Sequence, residues 1–202
     1  MTSFEIIPLF PQALYRSVFR PLTDEEIRII DNVPVSRQQL GNHTSHDPYF
    51  LNEPGLEDLK RDLQVHIENY VQEVMKVNYE VYITNSWKNV TKPGEQHMIH
   101  NHTNSILSGC LYIRSSYIQP TISFTRGSCP YLLAFESEEF TPFNSLEWTI
   151  PVEDNNIIIF PSTMHHYVKP NTSNKDRLSL AFNTFVRGNI RTQNTGADLI
   201  LK

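Results

Sequence analysis

Ile106-Leu107-Ser108-Gly109-Cys110-Leu111-Tyr112-Ile113-Arg114 is the stretch whose reading decides the fold. It is short, apolar and bounded by Asn and Ser, the signature of a β-strand. The same signature recurs around it. Tyr79–Trp87 precedes it, and Pro120–Phe124, Leu146–Val152, Asn156–Phe160, Tyr167–Lys169 and Leu178–Phe185 follow. Val, Ile, Thr, Tyr and Phe dominate these runs, with Gly, Pro, Asn and Ser between them. Together with the His97–His102 segment they make about eight short strands. Two helical stretches come first, so the fold class is mainly β with N-terminal helices. A double-stranded β-helix, the jelly-roll barrel, suits this order, with the helices buttressing one sheet.

Residues 1–202 read as a single domain. An N-terminal segment, 1–78, carries the two helices, 79–187 form the jelly-roll core, and 188–202 are a polar tail whose Leu199-Ile200-Leu201 can dock as a last edge. Pro8, Pro11 and Pro21 keep residues 4–22 from forming a long helix. Thr23-Asp24-Glu25-Glu26 is a capping box that opens a short helix carrying Ile27, Ile29 and Ile30. Residues 32–52 read as a polar loop in which His43 and His46 are solvated. From 54 to 76, Leu56, Leu59, Leu63, Ile67, Tyr70, Val71 and Val74 recur at helical spacing and predict one apolar stripe. His66 lies off that stripe and is expected to be exposed.

The 202 residues include 39% hydrophobic and 19% charged side chains, an ordinary globular balance. A net charge of −5 and the lack of any Lys/Arg run argue against a nucleic-acid partner. No signal peptide is evident and no apolar run is long enough to span a bilayer, so no membrane partner and a cytoplasmic location are expected. Two cysteines, Cys110 and Cys129, cannot supply a disulfide framework. The N-terminal helices offer a face for a homodimer.

The chemistry lies in Gly94-Glu95-Gln96-His97-Met98-Ile99-His100-Asn101-His102. On a regular strand His100 and His102 share a face with Met98, and His97 points the other way. His166 follows the apolar run Ile157–Phe160, and Arg177 opens the apolar stretch after it. Imidazoles on neighbouring barrel strands suit Fe, Zn or Cu and leave coordination positions open. A cation nearby suits an anionic co-substrate. The competing reading is a set of polar residues on a solvated edge, which the clustering of His97, His100 and His102 disfavours.

The segments Ser86-Trp87, His100-Asn101-His102-Thr103-Asn104-Ser105, Leu107–Tyr112, Phe160-Pro161-Ser162-Thr163-Met164-His165-His166-Tyr167-Val168 and Arg177–Asn183 together resemble a family of 2-oxoglutarate/Fe(II)-dependent oxygenases of marine bacterial and phage type. The resemblance runs from about residue 79 to the C-terminus and more weakly over Pro8–Tyr15. It implies that His100 and His166, rather than His165, ligate iron. It also implies that Arg177 and Ser179 hold the far carboxylate of 2-oxoglutarate, where a guanidinium fork and a hydroxyl supply donors. Tyr112 on the following strand reaches the same carboxylate or belongs to the core.

The sequence departs from the usual His-x-Asp/Glu, because the third position is His102 and no acid lies between Glu95 and Glu136. Either His102 completes a three-histidine site or two histidines share the metal with another donor. The resemblance implies Fe(II) as cofactor, 2-oxoglutarate as co-substrate and hydroxylation of an unnamed substrate. Trp87 and Asn89 line the substrate mouth or pack the barrel, and the 32–52 and 126–145 segments are where specificity can reside. Two other readings stay open: a cupin-like three-histidine metalloenzyme that does not use 2-oxoglutarate, and a non-catalytic jelly-roll binding module.

Overall fold

Leu178, Leu180 and Phe182 are buried on one face of a long strand whose other face carries Arg177, Ser179 and Ala181. This period-two alternation sets the layers of the molecule. The computed structural model describes residues 3–201 except 39, 116–119, 129–131, 134–135 and 192–195. In chain order the elements are β1 (Tyr15–Val18), α1 (Asp24–Asn32), β2 (Val35–Arg37), β3 (His43–Ser45), α2 (Glu57–Tyr70), β4 (Glu80–Thr91) and β5 (His97–His100). There follow β6 (Leu107–Arg114), β7 (Thr121–Thr125), β8 (Glu147–Pro151), β9 (Asn156–Pro161), β10 (His165–Val168), β11 (Arg177–Ile190) and β12 (Leu199–Leu201). The large sheet runs β1-β9-β6-β11-β4-β3-β2, with β12 paired to β11, and the small sheet runs β5-β10-β7-β8. All of these strand pairings are antiparallel, which gives the expected double-stranded β-helix.

Two apolar clusters result. The larger lies between the outer face of the large sheet and the helices, where Leu59, Leu63 and Ile67 of α2 meet Leu111, Ile157, Ile159, Leu180 and Phe182. The smaller lies inside the barrel and contains Tyr112, Ile122, Phe124, Ile158 and Phe160. Consecutive residues of β9 thus serve opposite clusters. Each fully buried aliphatic side chain contributes about 1.5–3 kcal/mol, so the outer cluster carries most of the stabilisation. Gly109 of β6 sits opposite Phe182, where a Cβ atom would come within 2.2 Å of the ring.

The Thr23 capping box forms as expected. Glu26 N–H donates to Thr23 Oγ1 at 3.2 Å, and Thr23 N–H donates to Glu26 Oε2 at 2.8 Å. Arg20 then joins Glu26 of α1 to Asp62 of α2, each at 2.6 Å. The last turn of α1 carries no basic residue of its own. Lys88 reaches out from β4 instead, and its ammonium donates to the carbonyls of Ile30, Asp31 and Val33 at 2.8, 3.2 and 3.0 Å.

Several expectations need correction. The 32–52 segment is not simply a loop, because β2 and β3 extend the large sheet past β4, and β1 adds a strand in the proline-rich entry. The second helix is regular only over Glu57–Tyr70 and finishes in a π turn, Val71–Met75. The wider turn breaks the 3.6-residue period, so Val74 is exposed while Met75 packs on the core. His66 is half-buried, with Nδ1 2.8 Å from the Tyr15 hydroxyl and its ring 5.5 Å from Phe19. His43 is not solvated and sits 3.1 Å from Glu95 Oε2. Cys129 lies outside the described residues. Among the described residues no helix is long and apolar enough to cross a membrane.

Candidate metal centre

His100 and His166 are direct cross-strand partners where β5 meets β10. Their rings lie 4.3 Å apart between centroids, and His102, just past the end of β5, sits 5.1 Å from one and 5.2 Å from the other. The His102 backbone N–H donates to Ser162 O at 3.0 Å, which ties the segment after β5 to the turn before β10. One ring nitrogen from each of the three falls within 4.8 Å of the others, and among the described residues no carboxylate or thiol joins the group. Ligand bonds of roughly 2.1 Å put neighbouring nitrogens on one ion about 3.0–3.4 Å apart, so the three rings close in on the ion when it binds.

Two of the rings are held in the tautomer a metal needs. His100 Nδ1 donates to Met98 O at 2.8 Å, and His166 Nδ1 donates to Met164 O at 3.0 Å. Both bonds run back two residues to a carbonyl and leave Nε2 with its lone pair free. Burial, reinforced by the neighbouring His100, pushes His166 down to about 3 and His102 down to about 4. Burial likewise lowers His100, against the pull of the Met98 carbonyl. Neutral imidazoles are the ligating form, so the desolvated cluster is ready for a cation. Phe124 and Phe160 pack on His166 at 5.9 and 4.8 Å and keep water from that side.

Beside the cluster the inner face of the large sheet forms a chamber of about 50 Å³, bordered by Tyr112, Arg177 and Ser179. Ser179 and Tyr112 are cross-strand partners on β11 and β6, and the Arg177 guanidinium lies 4.9 Å over the Tyr112 ring. Arg177 is 6% exposed, donates from one nitrogen to Thr121 O at 3.1 Å, and leaves its second terminal nitrogen without an acceptor. Among the described ion pairs none involves Arg177. A buried guanidinium without a counter-charge is costly and rare, and it marks a place built for an anion. Burial pushes the Tyr112 phenol well above its usual range, with the Cys110 thiol adding to the effect and Arg177 opposing it. Tyr112 therefore stays protonated, able to donate.

Trp87 and Asn89 of β4 also face the chamber, with Trp87 5.6 Å from His102. Sequence reasoning missed two neighbours. His97 stacks on His100 at 4.3 Å instead of pointing away, because three steps along β5 (His97 to His100) oppose two along β10 (Val168 to His166). This irregularity re-aims the side chain, and periodicity alone cannot signal it. Burial, then His100, His102 and Arg177, push His97 down to about 3. Asn42, just before β3, is 1% exposed and donates from Nδ2 to Asn89 Oδ1 at 3.0 Å. It fell in a segment read as loop.

A jelly roll with imidazoles converging at one end and a buried unpaired arginine behind them has the architecture of a non-haem metal oxygenase. Residues 85–183 match the family described as "Putative 2OG-Fe(II) oxygenase". No curated protein sequence matches the chain significantly. Among solved structures it is similar to a prolyl-4-hydroxylase from Pseudomonas putida, at 14% identity over 88% of this chain and 94% of that one, with a TM-score of 0.56. It is also similar to a 2OG-Fe(II) oxygenase family oxidoreductase from Burkholderia pseudomallei, at 10% identity over 79% and 75% of the chains, with a TM-score of 0.58. HygX from Streptomyces hygroscopicus, solved with nickel, 2-oxoglutarate and hygromycin B bound, matches at 10% identity over 86% and 82%, with a TM-score of 0.57. At these identities the likeness establishes the shared fold.

Proposed function

We propose that this protein is an Fe(II)- and 2-oxoglutarate-dependent oxygenase, a hydroxylase, in which His100, His102 and His166 hold the metal. Arg177 grips the far carboxylate of 2-oxoglutarate, assisted by the hydroxyls of Ser179 and Tyr112. The observation that carries this reading is the Arg177 nitrogen, buried, charged and without an acceptor beside three neutral imidazoles. When bound, the iron centre supplies dioxygen activation coupled to oxidative decarboxylation of 2-oxoglutarate to succinate and CO2.

The chain's own residues bind, orient and exclude water. Met98 and Met164 carbonyls fix the His100 and His166 tautomers. Thr121 O holds one arm of Arg177 so that the other faces the co-substrate. Phe124 and Phe160 close the barrel side, which strengthens every electrostatic contact inside. A third neutral ligand in place of a carboxylate leaves the metal complex one unit more positive, which favours a dianionic co-substrate. The chamber of about 50 Å³ is smaller than 2-oxoglutarate, so the lining gives way when the co-substrate enters.

A three-histidine enzyme that does not use 2-oxoglutarate has no use for the Arg177 charge. Anaerobic titration of the Fe(II)-loaded protein with 2-oxoglutarate tests the choice. A visible charge-transfer band that forms in the native chain and is lost in His166→Ala supports the proposal. Iron binding without the band transfers support to the 2-oxoglutarate-independent reading, and no iron binding leaves a jelly roll kept for its shape.

A further inference from the structure

Outside the metal cluster, between the β2–β3 hairpin and the His-x-His segment, lies a second and larger cleft of about 560 Å³. It shares Asn42, Trp87, His97, His100 and His102 with the inner chamber, so a molecule seated in it abuts the metal position. Its wall is polar but carries no formal charge. Gln38, Thr44, Asn101 and Asn42 supply amides and a hydroxyl, Trp87 supplies a flat apolar face, and no Asp, Glu, Lys or Arg lines it among the described residues. Of the acids that adjoin it in sequence, Glu95 is turned to His43 and Asp47 Oδ1 accepts from Tyr49 N–H. A charged ligand entering here loses water and gains no counter-charge.

Asn42 sharpens the point. It is 1% exposed, its Nδ2 is committed to Asn89, and its Oδ1 has no donor. A buried acceptor left unmatched at the border of two cavities is completed by a ligand that brings an N–H or O–H. We infer that the primary substrate is an uncharged molecule with hydroxyl or amide donors and one apolar face, seated between Trp87 and Asn42. This rests on the oxygenase reading for what happens to the substrate, and on the cleft alone for its class. The donor meets Asn42, the apolar face lies on the indole, and the neutral wall discriminates against acids and amines.

Trp148, exposed on β8, is the only other tryptophan, so Trp148→Phe makes the fluorescence of Trp87 report the cleft. The Fe(II)- and 2-oxoglutarate-loaded protein, kept anaerobic, is titrated with methyl glycosides and with N-acetyl amino acid amides. The matching uronic acids and free amino acids are titrated in parallel. Expected are a saturable response to one neutral set, weaker binding of its charged counterparts, and about tenfold loss in Asn42→Leu. The neutral set that binds identifies whether hydroxyls or amides are read. The isosteric Thr44→Val removes one cleft hydroxyl without changing shape and is expected to weaken the same probe several-fold, which keeps the test alive if Asn42→Leu does not fold. Equal or tighter binding of the charged counterparts, no binding of either neutral set, or unchanged affinity in the variants overturns the inference. The charge-transfer band recorded on the same samples separates the two ideas. A band without neutral binding sinks the substrate class only, and neutral binding without a band sinks the co-substrate only.

Discussion

On β11 the outward residues Leu178, Leu180 and Phe182 meet apolar side chains beneath α2, while the inward residues Arg177, Ser179 and Ala181 border a polar chamber. β4 repeats the contrast, with Val90 outward and Trp87, Asn89 and Thr91 inward. One strand therefore keeps stability and chemistry apart by a single residue step. The outer face beneath the helices is closely packed, and its buried Lys88 donates its protons to helix-end carbonyls. The inner face keeps an unpaired guanidinium and borders, across the chamber, four desolvated imidazoles carried by the small sheet and the segment after β5. Such groups work against the folded state and are tolerated because the other face holds the sheet together.

The largest effect expected from this contrast is a dependence on pH that comes chiefly from the groups around the inner chamber, with half-buried His66 adding to it in the same direction. In the folded, metal-free protein His97 and His166 titrate at about 3 and His102 at about 4. An unfolded histidine titrates near ~6.5, so below that pH the unfolded chain binds more protons and stability falls as pH drops. The limiting slope is about 1.4 kcal/mol per pH unit for each histidine, and the loss is complete only once pH passes the folded values. Thermal melts of metal-stripped protein should be level above about pH 6.5 and decline steeply below it. A level profile down to pH 5 would contradict the burial of the cluster.

Leu180→Ala addresses the outer face. Leu180 is fully buried, so a loss of about 2–5 kcal/mol in denaturant unfolding is expected. Iron stoichiometry and 2-oxoglutarate affinity, measured where the variant is still folded, should match the parent. A shift in either would show that the faces are coupled. The smallest expected effect belongs to Arg177→Met, which weakens 2-oxoglutarate binding by about ten- to a hundredfold while iron binding persists. Because the guanidinium has no acid partner, its melting temperature should hold or rise. Unchanged 2-oxoglutarate affinity would remove Arg177 from the site.

The barrel was readable because its strands are apolar runs separated by turn residues, and the capping box at Thr23 read true because four adjacent residues contain it. His100 and His166 meet as partners on paired strands, and Arg177 and Ser179 face the same chamber from alternate positions of β11. What escaped depends on contacts with distant segments. β1 and β3 are short and lie against β9 and β4, so their conformation comes from a partner strand rather than from their own propensity. His97 was assigned to the wrong face because an irregularity in pairing breaks the period of two. The π turn after α2 likewise shifted the apolar stripe by one residue.

The pairing of β5 with β10 has a consequence for how the protein matures. His100 and His166 come from distant parts of the chain and meet only when that non-local pairing has formed, a late and slow kind of contact in a folding β protein. His102 is placed by the same closure, through its bond to Ser162. The proposed ligands are therefore brought together only by the folded barrel, unlike those of a finger that zinc folds. If the proposed site holds iron, the rate of metal uptake in a refolding experiment should follow closure of the small sheet rather than collapse of the core.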